Sequence, residues 1–161
     1  MFYNPNIAPF DEYSLRADEL RKLTSASGRP GVSNMIISGY CPDAYNKVAE
    51  PFMDEPEGGA RCRECYRLRL EETAKRAAEG RFDCFATTLS VSPHKNAEII
   101  NDIGCELGGK YGVEYLCSDF KKNDGYKRSV ELSRELGLYR QSYCGCNKSQ
   151  IESLGRHTAD V

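Results

Sequence analysis

No stretch of this chain approaches the ~18 consecutive apolar residues that would mark a membrane-crossing helix. Its first ten residues, MFYNPNIAPF, lack the basic start and apolar run of a secretory signal. Both absences predict a cytoplasmic protein with no membrane partner. Cysteine, at eight residues in 161 or about 5%, falls short of the roughly 8–10% of secreted disulfide scaffolds. In a reducing compartment, closely spaced cysteines ligate metal or do redox work more often than they form staples. There is no internal repeat, low-complexity tract, glycine-rich phosphate loop, Ser/His/Asp set or pair of catalytic carboxylates. What remains is a chain 40% hydrophobic and 29% charged, long enough to bury a core as a single domain over residues 1–161.

Three short apolar runs, at 35–37, 84–89 and 113–117, predict strands. Helical spacing lies between them. Tyr66, Leu70, Ala74, Ala77 and Ala78 step by three and four, and so do Ile99, Ile100, Ile103 and Leu107 before Gly108 and Gly109, where the helix is expected to stop. A further helix is expected over 126–136, ending at Gly137. Strands alternating with helices predict an α/β, Rossmann-like three-layer fold with a mainly parallel sheet, whose function would lie at the carboxyl ends of the strands. Residues 51–60, with Pro56, Gly58, Gly59 and three acids, predict a mobile loop. Phe2 to Pro5 has the pattern of a strand end entering a turn, so a first strand is expected ahead of it.

Cys62 and Cys65 form a C-x-x-C at the start of an expected helix, where positions i and i+3 share a face and the helix N-terminus favours thiolates. Metal ligands, a redox dithiol and unrelated thiols all satisfy this spacing. Cys144 and Cys146 flank Gly145, whose backbone freedom lets both thiols aim one way. They suit ligands for one metal, a disulfide storing two electrons, or two small buried side chains. Four thiols match the ligand count of a zinc site and of a [4Fe–4S] cluster alike. Cys84, Cys105 and Cys117 are expected to be core thiols, and Cys41, before Pro42, a structural one.

Between a strand and a helix, residues 87–96 predict a polar loop with Ser92 as N-cap and Pro93 in the first turn. Such a helix start offers N–H groups to an anion, with His94 and Lys95 adding charge or a proton; ordinary capping with an exposed His94 is the simpler reading. The net charge of −2 gives no global pull towards nucleic acid, yet residues 119–148 hold seven bases against four acids. Arg61, Arg63, Arg67 and Arg69 crowd the C-x-x-C. A solvated helix face or a phosphate-binding surface accounts for either cluster.

Five segments together make the pattern specific: FYNPNI at 2–7, RCRECYRLRLEETA at 61–74, ATTLSVSPHKN at 86–96, SDFKKNDGY at 118–126 and LYRQSYCGC at 138–146. In these, and in their order, the chain resembles the QueH family of epoxyqueuosine reductases. The resemblance implies the last step of queuosine formation in tRNA, a two-electron removal of the epoxide oxygen at the wobble position. It implies a [4Fe–4S] cluster held by Cys62 and Cys65 with an adjacent cysteine pair near the N-terminus, a segment expected ahead of residue 2. Cys144 and Cys146 correspond to the family's C-x-C, regarded as a redox-active pair or as ligands of an additional iron. In that frame Cys144, Cys146 and His94 are the catalytic candidates, with Tyr143 as another proton source. Lys95, Lys121, Lys122 and Arg140 would hold the tRNA, alongside the arginines at 61–69, and an unidentified donor would supply electrons. The reading needs both cysteine pairs to converge at one end of the sheet. The alternatives are a zinc-stabilised RNA-binding module, a thiol oxidoreductase without metal, and an inactive truncated relative.

Overall fold

The computed structural model describes residues 1–26 and 35–158. Among them the order is α1 (Phe10–Ala26), α2 (Pro42–Ala49), α3 (Ala60–Glu79), β1 (Cys84–Phe85), α4 (Ala97–Tyr111), β2 (Glu114–Tyr115), α5 (Gly125–Glu135) and α6 (Asn147–Thr158), with short 3₁₀ turns at Glu50–Phe52 and Thr88–Val91. The protein is thus mixed α/β, mostly helical, with one two-stranded parallel sheet among the described residues. Its contacts divide into two compact units, Val48–Leu132 and Met1–Lys47 with Ser133–Val161.

In the unit Val48–Leu132, α3 buries Cys62, Tyr66, Leu70, Ala74 and Ala77, a stripe at helical spacing. This stripe meets Ile100, Ile103 and Leu107 of α4, together with Phe85 and Tyr115 from the strands and Val113 just before β2. Burying each large aliphatic chain here contributes about 1.5–3 kcal/mol. α4 forms the crossover between β1 and β2, which pair Cys84 with Glu114 and Phe85 with Tyr115. A side chain at Gly104 would meet the Tyr115 ring at 2.4 Å, so the absence of one lets helix and strand approach.

In the other unit, α1 turns Tyr13 and Ala17 towards Phe2 and Ile7, with Leu20, Ile37 and Tyr40 packed against them. Tyr13 lies 5.3 Å from Phe2 and 5.4 Å from Tyr40, ring centre to ring centre. The Phe2 N–H donates to Ile36 O at 2.8 Å and the Ser38 N–H to Phe2 O at 3.1 Å, a single parallel bridge centred on Ile37.

Several expectations change. The strand expected over 84–89 stops at Phe85, because Thr87 accepts the Leu89 N–H and turns the chain into a 3₁₀ helix. The one expected over 113–117 is Glu114–Tyr115, and that at 35–37 is the single bridge. α4 runs past Gly108 and Gly109 and ends at Gly112, whose left-handed φ of 69° allows its N–H to reach Gly108 O. Its N-cap is Asn96 rather than Ser92, with the Asn96 side chain accepting the N–H groups of Glu98 and Ile99. The expected helix at 126–136 is present as α5, followed by Gly137 at φ 59°. Within residues 51–60, the carbonyls of Met53 and Glu55 accept from the Arg61 side chain.

Candidate functional site

Cys62 and Cys65 sit one turn apart at the head of α3 and are buried, at 9% and 8% exposure. The Gly58 N–H donates to Cys62 Sγ at 3.3 Å, a contact that favours the thiolate, as does the positive end of the helix dipole. Between Gly59 and Cys62 lies Arg61, only 1% exposed. Its Nη1 donates to Glu55 O at 2.9 Å and Met53 O at 3.4 Å, which fastens the preceding loop. Nε and Nη2 find no partner among the described residues. Leaving a buried charged donor unmatched costs more than the about 1–3 kcal/mol of a neutral one, so this position calls for an anion. Two buried thiols on the helix turn that also carries such donors fit an iron–sulfur centre, whose thiolates and sulfides carry negative charge. No group of three or more His, Cys, Asp or Glu side chains among the described residues is placed to hold a metal.

The second pair belongs to the other unit. Cys144 and Cys146 hold their sulfurs 3.7 Å apart, and no disulfide joins them. Gly145 makes the arrangement: its φ is 119°, its carbonyl accepts the Ala8 N–H at 3.0 Å, and a Cβ there would strike Ile7 Cγ1 at 2.8 Å. Arg16 of α1 clamps the segment, its Nη1 donating to Cys144 O at 3.0 Å and its Nη2 to Tyr143 O at 3.2 Å. Its guanidinium also lies 5.1 Å from the centre of the Tyr143 ring. Buried Ser149 closes the loop: its Oγ accepts the Cys144 N–H at 3.1 Å and its N–H donates to Cys146 Sγ at 3.4 Å. The Cys146 thiol is pushed well above the ordinary range, first by its hydrogen bond with Cys144 and then by burial. It therefore holds its proton while Cys144 is nearby and reduced.

A cleft of about 760 Å³ in the unit Val48–Leu132 is lined by His94, Lys95, Asn101, Asp119, Lys121 and Lys122, among others. Lys121 pairs with Asp119 at 2.9 Å and donates to Lys95 O at 3.3 Å; Lys122 reaches Asp119 at 3.9 Å. The Ser90 hydroxyl accepts the Phe120 N–H at 3.3 Å and fixes one wall. Asn101 fixes another, donating to Ser118 O at 3.2 Å and accepting the Ser118 N–H at 3.1 Å.

The structure thus gathers His94, Lys95, Lys121 and Lys122 in one cleft. Arg140 belongs to the other unit, where its Nη1 donates to the Ser133 hydroxyl. Because Asn96 caps α4, the N–H groups of Glu98 and Ile99 are already matched and do not offer themselves to an anion. Arg61 is buried, and Arg67 makes a two-pronged pair with Glu106 at 2.6 and 2.8 Å; neither is a free phosphate grip, whereas Arg63 is exposed. Cys105 and Cys117 are exposed and 3.3 Å apart rather than core thiols, Cys84 is half-buried, and Cys41 is exposed. Sequence pattern missed Arg16 and Ser149; Arg16 was detectable only as a charge on the apolar stripe Tyr13, Ala17, Leu20.

The frame is mixed α/β and carries a buried pair of free thiols, Cys62 and Cys65, at the head of α3. A family profile described as epoxyqueuosine reductase QueH matches residues 1–152, and the chain belongs to that family. Relatives named epoxyqueuosine reductase QueH include one from Streptococcus pyogenes, 46% identical over 147 residues, and one from Staphylococcus epidermidis, 42% identical over 149. Each alignment covers 90% of this chain, which spans 58% and 63% of those relatives' lengths. The Thermotoga maritima relative is 37% identical over 159 residues, covering 97% of this chain and 81% of its own.

Proposed function

We propose that this protein acts in the cytoplasm as an epoxyqueuosine reductase, converting epoxyqueuosine at the tRNA wobble position to queuosine. The family match across residues 1–152, which takes in both cysteine pairs, carries this reading. Opening the epoxide to an alkene and water consumes two electrons and two protons. A [4Fe–4S] cluster, when bound, supplies electrons singly, and an iron with an open position can polarise the departing oxygen. Cys62 and Cys65 are proposed to hold it, and Arg61's idle donors would neutralise its charge and exclude water. Cys144 and Cys146, closing to a disulfide, release two electrons and two protons, which balances the reaction; an external donor then restores the thiols. His94 or Tyr143 would pass a proton to the oxygen.

Lys95, Lys121, Lys122 and Arg140 are proposed to hold the anticodon-loop phosphates, with Asp119 orienting the two cleft lysines. The proposed fold is a Rossmann-like three-layer arrangement with a mainly parallel sheet. The 3.7 Å separation of the C-x-C sulfurs favours a second role as well. Two thiolates about 2.3 Å from one tetrahedral metal lie roughly 3.8 Å apart, so an additional iron fits this pair as a redox dithiol does.

Anaerobic purification of the full-length protein, followed by iron, zinc and sulfide analysis, tests the assignment. Iron with sulfide is expected, and Cys62→Ser or Cys65→Ser should abolish the visible charge-transfer absorbance. Zinc without sulfide would instead support an RNA-binding module.

A further inference from the structure

Cys105 and Cys117 lie outside both thiol pairs described above. They belong to one unit, on α4 and just after β2. Both are exposed, and their sulfurs approach to 3.3 Å. This is shorter than the roughly 3.8 Å of thiolates sharing a metal, and closing to the ~2.05 Å of a disulfide needs little movement. The approach is built into the local fold. Asn101 precedes Cys105 by one turn on the same face of α4 and grips the backbone of Ser118, the residue after Cys117, through both its amide atoms. Tyr115, two residues before Cys117, packs on Gly104 and donates its hydroxyl to Asn101 at 3.2 Å. Both chains that carry the thiols are therefore fixed on either side of the contact. Access is also provided: a cleft of about 380 Å³ opens beside Cys105, three of its lining residues being glycines, Gly108, Gly109 and Gly112.

We propose that Cys105 and Cys117 form a modification site, a surface dithiol that closes to an intramolecular disulfide by exchange with a small disulfide such as oxidised glutathione. One thiolate attacks the oxidant's S–S bond and makes a mixed disulfide, releasing one glutathione, which takes up the proton. The second thiolate attacks the protein sulfur of that mixed bond and releases the second glutathione. Two protein thiols lose two electrons and one disulfide is reduced, so the exchange balances. Either thiol can make the first attack, because the two sulfurs face each other and both are exposed; the other then resolves the mixed disulfide. An exposed disulfide of this kind is reducible, as a reversible site requires.

The test uses the full chain, treated with oxidised glutathione, alkylated and digested with trypsin. Cleavage after Lys95, Lys110 and Lys121 leaves Cys105 and Cys117 as the sole cysteines of peptides 96–110 and 111–121. The expected product is these two peptides joined by a disulfide and separated by reductant. In Cys105→Ser, Cys117 should instead retain one glutathione. Recovery of both peptides alkylated, under conditions that oxidise other cysteines, would overturn the proposal, as would glutathione on both cysteines with no link between them.

Discussion

Gly145 carries more of the C-x-C geometry than either cysteine does. With φ at 119° and Ile7 waiting 2.8 Å from any Cβ, Gly145→Ala should strain the backbone and push Ile7 out of its site. The expected loss is about 1–3 kcal/mol of stability, read as a lower urea midpoint, with faster alkylation of Cys146 as its burial is broken. A midpoint and alkylation rate equal to the parent's would show that the turn does not need glycine. That glycine was legible in the sequence, since it stands between two cysteines. Its partner Arg16 was not, because a long-range clamp on carbonyl groups leaves no periodic signature. Arg61 shows the opposite limit. As one of four arginines around a C-x-x-C it suggests a phosphate surface, and only its burial reveals an internal charge.

At the scale of elements, helix faces were readable and strand lengths were not. The stripe from Tyr66 to Ala77 follows from spacing alone, because α3 is long enough for several repeats of its period. Apolar runs such as 84–89 do not distinguish a strand from a two-residue pairing followed by a 3₁₀ turn; the Thr87 cap decides that locally. The end of α4 was misplaced by two glycines for a related reason. Gly108 is buried against the chain leading into β2, and the left-handed cap falls at Gly112. The α4–β2 contact also makes a pH prediction. The Tyr115 hydroxyl is pushed from 10 up to about 12, first by burial and then by the Cys117 and Cys105 thiols. Between those values the unfolded chain has lost a proton that the folded one keeps, so this group's stabilisation is complete below pH 10 and is lost as pH rises towards 12. In alkaline denaturation curves, Tyr115→Phe should decline less steeply over that window than the parent. Parallel declines would contradict the assignment.

For the molecule as a whole, family membership rests on five segments in order, which a sequence displays fully. What the sequence could not display is how its chemistry divides between the units: buried thiols with an unneutralised arginine and a lysine-lined cleft in Val48–Leu132, and the C-x-C with its Arg16 clamp in the other. No helix among the described residues is long and apolar enough to cross a membrane, in keeping with the absence of long apolar runs. The central claim is that these thiols serve the reduction of a modified tRNA base. Its most direct test incubates the full-length, iron-loaded protein with a chemical reductant and tRNA bearing epoxyqueuosine, then measures the released nucleosides by mass spectrometry. Queuosine should replace epoxyqueuosine with the parent and fail to form with Cys62→Ser, Cys65→Ser or Cys144→Ser. No conversion by the iron-loaded parent, or undiminished conversion by all three variants, would contradict the account.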